Sequence, residues 1–276
     1  MTDQLASALR YSNDSRRFQL RVLSVARSLR FASLAELLAL MDAAQVSAAQ
    51  SGADSVDEML AEQNIDVDPD GKVNPAAFAG VASDGRDMRG LMSFAQNQNL
   101  VTPLQFDRMV LTQVRDAGRN GASVGIASRP RTVGYVRMIQ GATCDRCAIL
   151  AGSFYRYNTG FERHPFCDCI HVPASENTSG DLRTDPSKYF ESLSPAEQDK
   201  SFTKAGAQAI RDGADMSQVV NARRGMSSAQ VFGRDLKVTS ESRGAKKVRL
   251  MPESIYKISA NRAESIRLLR LHGYII

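Results

Sequence analysis

Along the first part of the chain the apolar residues Phe18, Val22, Val25, Leu29, Leu37 and Leu40 recur mostly at spacings of three and four. Arg16, Arg17, Arg21, Arg27 and Arg30 fall largely between them. This period puts one apolar stripe on a helix and predicts a long amphipathic helix from Asp14 to about Ala49. Gly52 is expected to end it, with Asp54 or Ser55 capping a short helix through Leu60. Asn74-Pro75 reads as an N-cap followed by Pro at the first helical position. It opens a helix to about Asn97, interrupted near Ser83-Asp84-Gly85. Thr102-Pro103 opens the next helix, with Phe106, Val110, Val114, Ala117, Gly121 and Val124 on one face and Pro130 as its stop. Gly118, Gly121 and Gly125 each cost this helix about 1 kcal/mol relative to Ala. The expected compensation is a close backbone approach by a neighbouring helix.

The pattern changes at Val133–Ile139, where β-branched and apolar residues predict a strand. Asp181 to Pro186 reads as a loop. Ser194-Pro195-Ala196-Glu197 is a capping box, and short helices are expected through Ile210 and from Met216 to about Asn221. From Arg223 to Arg249 the chain is polar and basic, with Gly225, Gly233 and Gly244, and reads as a partly extended arm or long loop. Asn261 with Glu264 caps a last helix through Leu271, which Gly273 ends. The expected fold is mostly α (α+β). It has a helical N-terminal region (1–131), a small β-containing segment (132–178), and a helical C-terminal region (179–276) carrying the basic arm at about 223–249.

Composition agrees with helix-on-helix packing. Aromatic residues make up 7% of the 276 residues and Trp is absent, so a large β-sandwich core is disfavoured. The formal charge of +5 is a mild lean toward acidic partners, below that of a dedicated nucleic-acid binder. No segment has the roughly 18–20 apolar residues that cross a bilayer, so no membrane association is expected. The opening residues lack the basic-then-apolar order of a secretory signal, which points to a cytoplasm, where disulfides are disfavoured.

All four cysteines fall within one short stretch, and that clustering carries the candidate chemistry. Cys144-Asp-Arg-Cys147 is a tight turn that aims two sulfurs at one point, and zinc then needs two further N or S ligands. His164-Pro-Phe-Cys167-Asp-Cys169-Ile-His171 supplies them. On a regular strand Cys167 and Cys169 would share a face but stand about 6–7 Å apart. His164 and Cys167 make an easier pair. The candidate ligands are therefore four of the five residues Cys144, Cys147, His164, Cys167 and Cys169, with His164 competing against Cys167 or Cys169. His171 reads as a surface or packing residue. Four protein ligands close the coordination sphere, so the zinc is expected to be structural. A second acidic motif, Asp66-Val-Asp68-Pro-Asp70-Gly71, has the start of a calcium loop but ends on Ala77 where a bidentate Glu is needed. It reads as an Asp-rich turn.

Taken together, Cys144-x-x-Cys147, Leu150-Ala-Gly152, His164-Pro165 and Cys167-x-Cys169 with nearby Pro173 resemble the signature of MuF-like minor head proteins of tailed bacteriophages, in the form carried by actinobacterial phages and prophages. The middle residue of Cys-x-Cys is Asp168, where that family usually has Arg. The resemblance implies a minor capsid protein of the virion head. It would act near the portal in head morphogenesis, with portal and major capsid protein as partners, and be made in the host cytoplasm. It implies no small-molecule substrate and no enzymatic activity. The basic arm could touch packaged DNA through its phosphates. Two other classes stand beside this one: a capsid maturation protease, for which Ser153 and His171 are the available pair, and a zinc-knuckle DNA-binding protein. His272, at the end of the last helix, is expected as a cation complementing the helix dipole.

Overall fold

A computed structural model describes residues 5–129, 133–139, 143–156, 169–176, 185–231, 233–240 and 248–276. The fold is mostly α with two small antiparallel sheets. The chain forms two compact units, one of residues 1–139 with 152–184 and one of 140–151 with 185–276.

In the first unit, α1 (Ala6–Leu29), α2 (Leu34–Glu62), α3 (Met88–Ala95) and α4 (Pro103–Ala127) pack around Leu37, Met41, Met92, Phe106 and Val110. The single helix expected from Asp14 to Ala49 is two helices. Ser33 is extended and its Oγ accepts the Glu36 N–H at 3.2 Å, so α2 starts afresh there. Arg30, at the break, is buried; it donates to the carbonyls of Ala95 (3.3 Å) and Val101 (2.6 Å) and lies over the Phe106 ring. The apolar spacing stays in phase across this corner, so periodicity alone does not reveal it.

Gly52 does not end a helix either. It lies inside α2, where a Cβ would stand 1.9 Å from the Gly118 carbonyl oxygen of α4. A Cβ on Gly121 would stand 2.0 Å from the Ala49 oxygen, and one on Gly125 3.3 Å from Val56 Cγ2. The close helix approach expected of the α4 glycines is therefore present, with α2 as the neighbour. The expected start at Thr102-Pro103 opens α4, and Gln105 completes a capping box there. Between α2 and α3 the Asp-rich stretch is irregular, and Asn74 caps a single 3-10 turn, Pro75–Phe78, rather than a long helix. Gly80 and Gly85, both at positive φ, carry the chain into a tight turn that returns to α3.

The expected strand is β1 (Val133–Met138), the centre of a sheet with β2 (Phe154–Arg156) and β3 (Ile170–Ser175) in the order β2-β1-β3. Every residue of β1 is buried. Gly134 has no room for a side chain, because a Cβ would meet the Tyr155 oxygen at 2.2 Å. Met138, Ile170 and Val172 pack with Ala8 and Met59, which seats the sheet on the helices.

The second unit contains α5 (Asp145–Leu150), α6 (Pro186–Ser192), α7 (Pro195–Phe202), α8 (Lys204–Arg211), α9 (Met216–Ala222), α10 (Pro252–Ile258) and α11 (Arg262–Leu271). The expected capping box at Ser194 and Glu197 and the cap at Asn261 are in place, and Gly273 follows α11 at φ 67°. The segment read as a loop to Pro186 closes into α6, whose cap is Asp185.

The basic arm is largely not an arm. Its residues form β4 (Met226–Val231), β5 (Arg234–Thr239) and β6 (Arg249–Leu250), an antiparallel sheet in the order β4-β5-β6. Leu236 and Val238 point from β5 into a core with Ile255, Leu269 and Tyr274, while Asp235 and Lys237 alternate outward. Two inward residues were too short a run to stand out from a polar, basic stretch. Arg243, Lys246 and Lys247 lie outside the described residues.

Candidate functional site

The predicted ligand residues are carried by both units. Cys144 is the N-cap of α5, and its Sγ accepts the Cys147 N–H at 3.3 Å. An extended cap followed directly by a helical turn puts both sulfurs at the same end of α5. An N–H donated to sulfur favours the thiolate that a metal needs. Cys147 is buried and Cys144 partly so. The turn is held from α6: the Tyr189 hydroxyl accepts the Thr143 N–H at 2.8 Å. Burial, together with the nearby Cys144 and Cys147 sulfurs, raises the Tyr189 pKa, so the phenol stays neutral.

Cys169 belongs to the first unit and precedes β3. Two buried arginines meet it. Arg119 of α4 donates to its carbonyl at 3.2 Å, and Arg137 of β1 approaches its sulfur at 3.6 Å. Arg119 also lies 3.7 Å from Asp116, one turn earlier on α4. Cys169 is disulfide-bonded, and a disulfide sulfur is not a zinc ligand, so that bond and zinc ligation are alternative states of one atom. His164 and Cys167 lie outside the described residues. Among the described residues no group of three or more His, Cys, Asp or Glu side chains converges on a point that could hold a metal. The Cys144–Cys147 turn fits half of a tetrahedral site.

His171 is buried on β3 and packs edge-on against Tyr135, with ring centroids 4.9 Å apart. The hydroxyl at its Nδ1 is that of Ser123, at 3.5 Å, a residue that no sequence motif marked. Ser153 is exposed just before β2. His171 is thus a packing residue and not a surface one. His272 also differs from expectation. Its Nδ1 accepts the Leu250 N–H at 3.4 Å, and burial with the nearby Arg249 charge lowers its pKa. It is a neutral acceptor tying β6 to α11, not a cation at a helix end.

The sequence does not reveal the buried polar groups near Cys169: Arg119 and Arg137, with Asp116 beside Arg119. Single charged residues in apolar-patterned segments give no signal until the fold brings them together. Among the described residues no helix is long and apolar enough to cross a membrane. The sequence model of a family described as VG15 protein matches residues 7–196, more than half of the chain and all of the Cys-x-x-Cys to Cys-x-Cys region. No curated protein and no solved structure matches.

Proposed function

The chain belongs to the VG15 protein family of phage virion genes, and on that premise we propose that it is a minor structural protein of the phage head, acting in head morphogenesis near the portal. The observation that carries this reading is the family match, which runs unbroken from α1 through both cysteine motifs to the start of α7. The finer MuF-like assignment rests on the order Cys144-x-x-Cys147, Leu150-x-Gly152, His164-Pro165, Cys167-x-Cys169. A helical unit whose long helices touch backbone to backbone is a rigid body suited to a structural role, and the α2–α4 seam supports that part of the reading. Portal and major capsid protein are the proposed partners.

The zinc belongs to the same proposal. Cys144 and Cys147 would supply two thiolates, and two of His164, Cys167 and Cys169 the rest, with Cys169 reduced. The metal would contribute stability only, since four protein ligands leave no open position.

The test is compositional. Particles purified from an infected or induced host are analysed by mass spectrometry, beside particles from a strain with this gene deleted. The expected result is a low-copy virion component whose deletion reduces or abolishes infectious heads. Its complete absence from particles, with normal heads formed by the deletion strain, would overturn the proposal. Shortening of the major capsid protein that depends on this chain would instead support a maturation protease.

A further inference from the structure

The β4-β5-β6 sheet leaves β4 at its edge, and the register shows which backbone groups that edge presents. The Ser240 N–H donates to the Gly225 oxygen at 3.2 Å, and the Met251 N–H donates to the Lys237 oxygen at 3.0 Å. Antiparallel pairs alternate between bonded and non-bonded. With Met226 opposite Thr239 and Val231 opposite Arg234, the groups of Ser227, Ala229 and Val231 therefore turn toward β5. Those of Met226, Ser228 and Gln230 turn away from it. These three residues are exposed; the Met226 N–H donates to the Arg223 oxygen, and among the described residues no side chain meets the outward N–H and C=O groups of Ser228 and Gln230.

Edge strands normally carry a charge, a proline or a covering side chain that blocks strand addition. β3 in the other sheet does: it contains Pro173, and Gln63 donates to the Pro173 carbonyl at 2.7 Å. Met226-Ser-Ser-Ala-Gln-Val231 has neither charge nor proline. The charges stand around it. Arg224 precedes the strand, Arg234 begins β5, and Lys237 lies opposite Ser228; all three are exposed and form no ion pair among the described residues. The acidic residue of β5, Asp235, accepts a hydrogen bond from Gln230.

We propose that β4 takes up an extended, acidic segment of a protein partner as an added strand. Main-chain bonds at Ser228 and Gln230 would supply affinity, and Arg224, Arg234 and Lys237 the preference for acidic side chains. The same charges argue against a second copy in this place. Antiparallel self-pairing of β4 lays the Arg224 end of each copy along the Arg234 end of the other, at both ends of the added strand.

The probe is a labelled peptide of alternating valine and glutamate, as long as β4, titrated into the full chain and followed by fluorescence anisotropy. A valine–lysine peptide and a short DNA duplex serve as comparisons. The acidic peptide is expected to bind saturably. Ser228→Pro removes one outward N–H while sparing the β5 ladder, and should weaken binding roughly tenfold with an unchanged melting transition. Arg224→Glu with Arg234→Glu should shift preference to the lysine peptide. Should Ser228→Pro fail to fold, amide hydrogen exchange of the wild-type chain decides, with new protection by the acidic peptide expected at Ser228 and Gln230. Three results would overturn the proposal: no saturable binding of the acidic peptide, protection elsewhere, or a folded Ser228→Pro variant that binds unchanged. Tighter binding of the duplex than of the peptide would assign the face to nucleic acid. A dimer that Ser228→Pro dissolves would assign it to a second copy.

Discussion

Placing a methyl group on Gly121 should push α2 and α4 apart. Its Cβ would stand 2.0 Å from the Ala49 oxygen, 2.7 Å from the Ala49 carbonyl carbon and 2.8 Å from its Cα. All three are backbone atoms in the middle of a 29-residue helix and cannot rotate away as a side-chain tip can. Relief requires the helices to separate by roughly an ångström, which loosens neighbouring contacts such as those of Ala48, Val114 and Ala117. Overpacking costs about 1–3 kcal/mol, and the rigid neighbour puts this site at the upper end. Ala gains about 1 kcal/mol over Gly in helix propensity. The net expectation for Gly121→Ala is a loss of about 2 kcal/mol. Gly90→Ala is the matched control. It lies on α3 with only Asp87 Oδ2 near, at 3.9 Å, so propensity acts alone and the variant should gain about 0.5–1 kcal/mol. Urea denaturation followed by helical circular dichroism measures both. A Gly121→Ala variant as stable as Gly90→Ala would refute the close approach.

Other expectations follow from the second unit and the cysteines. With a reductant present, purified protein should contain about one zinc per chain, and Cys144→Ser or Cys147→Ser should lose it; metal analysis finding far less zinc in the wild type would remove the zinc proposal. His272 has a folded pKa below its ordinary 6.5, so the unfolded chain binds the proton more readily. Its contribution is therefore complete above about pH 6.5 and lost as pH falls from there toward the lowered folded value. His272→Asn should flatten that part of the stability-against-pH curve, and an unchanged slope would show that other groups set it. Tyr256 donates its hydroxyl to the buried Asp212 carboxylate at 2.7 Å, and Arg262 donates to the same group at 2.8 Å. Tyr256→Phe should cost about 1.5–3 kcal/mol in the same denaturation assay, the range for a hydrogen bond to a charged group; no loss would mean that water replaces the phenol freely.

Local chemistry in the sequence determined much of this protein. The Thr102 cap, the capping box at Ser194, the Asn261 cap and the Gly273 stop are set by short-range hydrogen bonds and backbone freedom, and all appear where the residues place them. The strand at Val133 was likewise legible, because it depends on residues close together in the chain. Other features depended on what lies opposite. Gly52 reads as a helix stop, but facing Gly118 it becomes a point of contact, because the missing side chain admits another backbone. The stretch after Arg223 reads as a polar arm, and becomes a sheet because Leu236 and Val238 find a core built by α10 and α11. The cysteines show both sides. Their spacing marks a candidate metal-binding motif from the sequence alone, and the N-cap geometry at Cys144 follows from that local turn. That Cys144 and Cys147 lie in one unit, while Cys169 sits between buried arginines in the other, was decided by tertiary structure. Which unit buries a residue depends on packing partners distant in sequence, and no local pattern records them.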